Sequence, residues 1–281
     1  MMETREGMFD PESQIGLGDK AVRLAGLDPT IDPNPITIQS PGLGAGAGMG
    51  AAFELKFHID PDLASRVEHW AAGHLVPDCH GNAGKYAVTS VYCDTPTFDV
   101  FHRSPGYRRV KFRLRRYDAS TEAFLERKRK RGTQVIKRRT SINFEELPRL
   151  SDLAAAQPWA GNWFHKRVCR RNLRPTACVS YTRTAFFGMA DAMPVRMTID
   201  RDLIGVPTDQ WHIPHLSAGT PLLPDGVLVE LKFHVQVPTI FRELMTMLPP
   251  QLARVSKYRR CITACGIGPG ASTSAASGET S

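Results

Sequence analysis

Residues 110–115 read Val110-Lys111-Phe112-Arg113-Leu114-Arg115, three apolar residues alternating with three cations. Successive strand side chains point to opposite faces, so this run predicts a strand with one apolar and one cationic face. The same two-faced writing recurs as Phe53-Glu54-Leu55-Lys56-Phe57-His58-Ile59, as Val195-Arg196-Met197-Thr198-Ile199-Asp200 and as Val229-Glu230-Leu231-Lys232-Phe233-His234. Within 124–130, Glu126, Lys128 and Lys130 share a face, and in the next run Lys137 and Arg139 do. One such strand is what any sheet with a wet face shows. Six of them are harder to explain that way, because like charges on neighbouring strands repel. At 4 Å each like pair costs roughly 4 kcal/mol at an effective dielectric of 20, so a shared cationic face calls for a bound anion.

The period-2 runs are 53–59, 87–94, 108–117, 122–130, 134–142, 177–187, 194–200 and 227–234. Helical patterns fall at 61–75, with Asp60 and Pro61 as the start, at about 145–172, and at 238–248 behind Pro238. The expected fold is therefore α+β: an eight-stranded antiparallel sheet closed into a β-barrel, its basic faces inward and its apolar faces covered outside by helices. A membrane-spanning barrel also has a polar lumen, but the helical segments and the lack of an export signal argue against it.

Composition locates the charge. The 281 residues carry a formal net charge of +8. Residues 1–50 hold seven Asp/Glu and three Lys/Arg, whereas residues 101–140 hold fifteen Lys/Arg and three Asp/Glu. Such a concentration of positive charge points to a polyanionic ligand. Residues 1–50, rich in Gly and Pro, and residues 266–281, of small residues, read as tails around one domain at 51–265. No run approaches the ~18 apolar residues of a membrane span, and the six cysteines form no CxxC pair, so the chain reads as cytoplasmic with reduced thiols. The histidines show no HExxH spacing, and 42–50 is glycine-rich without the lysine and helix of a phosphate-binding loop.

The strings FELKFHID (53–60), TSVYCDTPTFDVFH (89–102), YRRVKFRLRRY (107–117), FLERKRKRGTQVIKRR (124–139), YTRTAFFG (181–188), VRMTID (195–200), VLVELKF (227–233) and ARVSKY (253–258) resemble, in order, the VTC domain. That domain is the catalytic part of the vacuolar transporter chaperone complex and of bacterial relatives, within the triphosphate tunnel metalloenzyme (CYTH-like) superfamily. The resemblance implies an eight-stranded tunnel and ATP-dependent synthesis of inorganic polyphosphate by γ-phosphoryl transfer, with Mn²⁺ or Mg²⁺ as cofactor. It matches Lys56 to the first-strand lysine, Arg113 and Arg115 to the paired arginines of K-x-R-x-R, Lys128 to the lysine of LERK and Lys137 to that of the next strand. Arg183 matches Y-x-R-T-A-F, Arg196 matches V-R-x-T-x-D, and Glu230 is implied as the metal ligand of E-L-K. Ser256 and Lys257 match S-K-Y. The family often has a basic residue two positions before that serine; here it is Arg254.

The residue types suit phosphoryl transfer on their own terms. That chemistry needs positioning and charge compensation along an oligophosphate. Arginine forks grip phosphate oxygens, lysines act as mobile charges, and hard divalent cations prefer carboxylate oxygen. Lys111 and Lys130 extend the same faces toward substrate. Glu230 is the first metal candidate, with Glu54 or Glu126 supporting, and an internal salt bridge is the competing reading for each. Tyr181 is either a platform for adenine or a packed aromatic, and Asp94 and Thr95 read as turn-formers. Three alternatives to a polymerase stay open: a tripolyphosphate hydrolase of the same fold, a non-catalytic polyphosphate or inositol-phosphate binding module, and a nucleic-acid binder. Inward-facing charge disfavours the last, so no nucleic-acid partner is expected. Any translocation of product calls for a separate membrane protein.

Overall fold

The computed structural model describes residues 52–118, 120–131, 134–152 and 158–268. The expected tail at 1–50 and all but the first residues of that at 266–281 lie outside them. In chain order the elements are β1 (Ala52–Ile59), α1 (Pro61–His74), β2 (Val76–Pro77), β3 (Lys85–Asp94), α2 (Asp99–His102), β4 (Val110–Tyr117), β5 (Glu122–Arg131) and β6 (Gln134–Asn143). A 3₁₀ helix (Phe144–Leu150) follows, then α3 (Asn162–Arg171), β7 (Arg174–Ala190), β8 (Met193–Pro207), β9 (Thr220–Pro221), β10 (Val227–His234), α4 (Thr239–Met245) and α5 (Lys257–Ala264).

The alternation does its expected work locally. Phe112 and Leu114 of β4 bury against Phe164 and Val168 of α3, while Phe57, Met197, Leu231 and Phe233 bury against Val67 and Ala71 of α1 and Phe241 and Leu244 of α4. Helix α1 starts where the sequence says, since the Asp60 side chain accepts from the Leu63 amide at 2.7 Å and Pro61 opens the first turn. The helical pattern over 145–172 is split instead. Its first part is the 3₁₀ helix containing Pro148, and α3 begins only after Pro158 and Gly161.

The strands run antiparallel in the order β1-β10-β8-β7-β3-β4-β5-β6, with β2 on β7 and β9 on β8. The order begins at β1 and ends at β6 with no pairing between them, so the expected closed barrel is wrong: the sheet is open and curled. The two end strands approach each other through side chains on the concave face and not through a backbone ladder. Curling stops where side chains still meet, Glu54 of β1 reaching Lys128 of β5 at 3.0 Å.

Helix α5, absent from the sequence-based expectation, sits differently from the others. Ser256 caps it, and Tyr258 stacks on Tyr92 with ring centroids 5.4 Å apart, among the inward residues Val179 and Tyr181. Asp94, read as a turn-former, anchors this helix as well. Its carboxylate accepts from the Thr95, Val100 and Phe101 amides at 2.7, 2.8 and 2.9 Å and from the Tyr258 hydroxyl. Asp94→Ala strips four donors, three of them on buried residues, of their acceptor, and a loss of about 3 kcal/mol is expected in urea unfolding. An unchanged midpoint would show that the turn is held by something else.

Candidate functional site on the concave face

The inward residues of seven long strands and α5 meet on the concave face as three ion-pair groups. In the first, the Lys56 ammonium lies between the carboxylates of Glu54 and Glu230, and Lys128 takes the other oxygen of Glu54 at 3.0 Å. In the second, Arg183 donates to both oxygens of Asp200 at 2.7 and 2.8 Å, and Lys257 reaches Asp200 at 2.6 Å and Glu230 at 3.7 Å. In the third, Glu126 takes Arg113 at 2.5 Å, Lys137 at 2.9 Å and Arg139 at 3.5 Å. Glu126 is almost wholly buried, so the internal ion-pair reading holds for it.

Between these groups, Arg115 donates to the Ser90 hydroxyl at 2.9 Å and the Tyr181 hydroxyl at 3.3 Å. Arg196 donates to Asp78 at 3.2 Å and Tyr86 at 3.1 Å, and Lys111 donates to Ser256 at 3.0 Å. Tyr181 is a packed aromatic: Lys257 lies 4.5 Å and Arg183 5.3 Å from its ring centre. Arg254 is exposed ahead of α5, and the Lys130 side chain lies outside the described residues. Arg116 points to the opposite face as expected, yet it is not solvated. It is 9% exposed beneath the 3₁₀ helix, 5.3 Å from the Phe144 ring centre, because parity sets the face and not what covers it.

Sequence reasoning assigned no role to Asp200, Lys232, Arg139 or Asp78. Parity alone would have placed Lys232 beside Glu230 and Asp200 beside Arg196. The role of Asp200 needs Lys257, which arrives from a helix 57 positions on. Among the described residues one other cluster has metal-ligand chemistry, Asp78, Cys79 and His80, and its buried member Asp78 is already held by Arg196 and Tyr86.

The electrostatics follow from cations outnumbering carboxylates in a sheltered face. Burial and the nearby Glu230 push the Glu54 carboxyl up, but Lys128, Lys56 and Lys232 overcome them and hold it well below the usual range. Burial pushes the Lys232 ammonium down to about 7 against the pull of Glu54 and Glu230. Burial also pushes Lys111 down to about 8; Lys128, Lys56 and Arg113 reinforce this, and Tyr92 opposes it. Near pH 8 Lys111 is thus half charged, and a polyanion laid beside it restores the proton. Tripolyphosphate binding at pH 8 should then take up more protons in the native protein than in Lys111→Met, by about half a proton. Titration calorimetry in two buffers of different ionisation heat measures this, and equal uptake would remove Lys111 from the binding face. At pH 6, where Lys111 is already charged, the difference should vanish.

The arrangement can grip an extended phosphate chain by arginine forks and lysines, with hard-oxygen donors distributed among them. The VTC domain family model matches residues 51–265. Among solved structures, a protein from Pyrococcus horikoshii OT3 is 14% identical, with 75% of this chain and 96% of that one covered and a TM-score of 0.42. A candidate adenylate cyclase from Bacillus halodurans is 12% identical, with 75% and 96% covered and a TM-score of 0.45. A candidate adenylyl cyclase from Hippeastrum, described with a dominant triphosphatase activity, is 12% identical, with 75% and 95% covered and a TM-score of 0.43. No curated protein matches the chain. No helix among the described residues is long and apolar enough to cross a membrane.

Proposed function

Because this chain belongs to the VTC domain family, we propose that it transfers the γ-phosphoryl group of ATP to the end of an inorganic polyphosphate chain laid along the concave face. The observation that supports this most is the convergence of Lys56, Lys111, Arg113, Arg115, Lys128, Lys137, Arg183, Arg196 and Lys257 on one sheltered face with too few carboxylates to neutralise them. A terminal phosphate oxygen of the chain attacks the γ-phosphorus, the bond to the β,γ-bridging oxygen breaks, and ADP leaves. Arg113 and Arg115, two apart on β4, would fork onto successive phosphoryl groups, while Lys56, Lys128 and Lys137 balance charge along the chain. The carboxylates keep these cations ordered until phosphate oxygens replace them, so little reorganisation is needed at the moment of transfer.

The family's divalent cation suits the donors present. Glu230 and Glu54 are hard carboxylates sharing one lysine, and the buried hydroxyl of Thr198, paired with Glu230 in the β8–β10 register, has no hydrogen-bond partner among the described residues. Glu230 and Glu54 would hold Mn²⁺ or Mg²⁺, which when bound would neutralise charge on the transferring phosphate oxygens.

Incubation of the purified protein with ATP and Mn²⁺ tests the reading. ADP together with long polyphosphate on a gel is the expected result. Phosphate released from tripolyphosphate without chain growth would make the protein a hydrolase, and binding with neither product would make it a polyphosphate-binding module.

A further inference from the structure

In the densest run of basic residues, 127–131, Lys128 lies on the concave face while Arg127 and Arg129 do not. Those two meet a second set of arginines outside. Arg127 and Arg129 of β5 point outward; Arg138 of β6 sits directly across from Arg127 in the ladder, and α3 adds Arg167 and Arg171. These five are close enough that Arg167, Arg138, Arg129 and Arg171 add to burial in making the charged form of Arg127 less favourable. No carboxylate pairs with any of them among the described residues, and the buried Nε of Arg127 has no hydrogen-bond partner there. Like charges placed directly across a ladder cost stability, so the folded chain holds this cluster against its own repulsion.

We infer that this outer face is a second binding site, for a long inorganic polyphosphate chain. Guanidinium forks are the group best matched to phosphate oxygens, and five of them without counter-charge fit a ligand of repeating negative charge. The face is poorly built for nucleic acid. Its aromatic rings are already covered, Trp163 by Arg138 at 4.4 Å and Tyr107 by Arg171 at 4.7 Å, which leaves no platform on which bases could stack. It is equally poor for a lipid surface, since Ile136 is the one exposed large hydrophobic residue on these strands among the described residues. Location favours polyphosphate too. Inner Lys128 and outer Arg127 are adjacent on β5, inner Lys137 and outer Arg138 are adjacent on β6, and β6 is an unpaired edge. A chain leaving the concave face over that edge meets the outer arginines one residue away. This inference deepens the polymerase reading and rests on it for the identity of the ligand.

The test uses the full chain and two probes, end-labelled long-chain polyphosphate and tripolyphosphate, the second too short to occupy both faces. In R127Q/R129Q/R138Q, affinity for the long chain should fall about tenfold or more at physiological salt, and the slope of log affinity on log salt should shrink by about 2 to 3. Tripolyphosphate affinity and the initial rate on ATP should stay at native values. R127K/R129K/R138K, which keeps every charge, should keep the slope, and it guards against a folding defect in the glutamine variant. Native long-chain affinity in the glutamine variant would overturn the inference, as would an equal loss for tripolyphosphate. Tighter binding of single-stranded RNA or anionic vesicles than of polyphosphate, lost in the same variant, would overturn the choice of occupant. A native protein that makes no polyphosphate from ATP yet binds the long chain through these arginines would sink the polymerase reading and support this site.

Discussion

Replacing Glu230 by glutamine is expected to lower the rate of polyphosphate synthesis from ATP by about a thousandfold or more while leaving the fold intact. The side chain keeps its size and loses its charge. Burial favours the neutral acid at this position, but Lys56, Lys257, Lys232 and Arg183 outweigh it and hold the carboxyl well below its usual range, so the native group is anionic throughout the neutral region. Its removal strands no buried cation. Lys56 keeps Glu54, and Lys257 keeps Asp200 at 2.6 Å. What disappears is the hard anionic donor that would hold the divalent ion. With one negative charge fewer on a cationic face, tripolyphosphate should bind at least as tightly as before. The combination of lost turnover, unchanged thermal unfolding and retained binding is the signature of a metal-ligand role. Synthesis at the native rate would remove Glu230 from the chemistry.

Arg115→Ala is expected to cost about 3 kcal/mol of transition-state stabilisation, a hundredfold or more in kcat/KM for ATP, and Arg116→Ala almost none. The two are neighbours on β4 and lose the same formal charge, so long-range electrostatics cannot tell them apart. Their surroundings can. Arg115 faces inward with Ser90 and Tyr181, whereas Arg116 lies under the 3₁₀ helix against Phe144. Arg116→Ala should instead appear in unfolding, as a loss of about 1 kcal/mol from forfeited packing. Measuring kcat/KM and a urea midpoint for both variants separates the effects. Equal losses in turnover would mean that β4 does not divide its cations between two faces.

Much of this was legible in the sequence because strand parity is a local property. Once β4 was read as alternating, the faces of Lys111, Arg113 and Arg115 followed, as did the outer burial of Phe112 and Leu114. Closure was not legible, because it depends on whether β1 meets β6, elements 75 or more residues apart whose pairing no local pattern records. Helix α5 was missed for a related reason. Its 8 residues are short for a periodic signal, and its place is set by Tyr258 reaching Asp94 from 164 positions away. Asp200 was visible inside VRMTID but mute until α5 brought Lys257 beside it. The covering of Arg116 failed similarly, since a residue's parity says nothing about a 3₁₀ helix laid over it.

The unpaired edges of β1 and β6 have a topological consequence. A barrel encircles its ligand, so a long polymer must thread through end first and cannot fall off sideways. In the open sheet the two ends meet only through side chains, the Glu54–Lys128 ion pair among them, so a chain could enter the concave face from the side wherever such pairs part. Retention through many rounds of addition would then come from charge alone, without a mechanical clamp. Charge-based retention weakens steeply with ionic strength, because each phosphate released recovers its own counterions. In such an enzyme the length of the product would be set by the salt around it as much as by the supply of nucleotide.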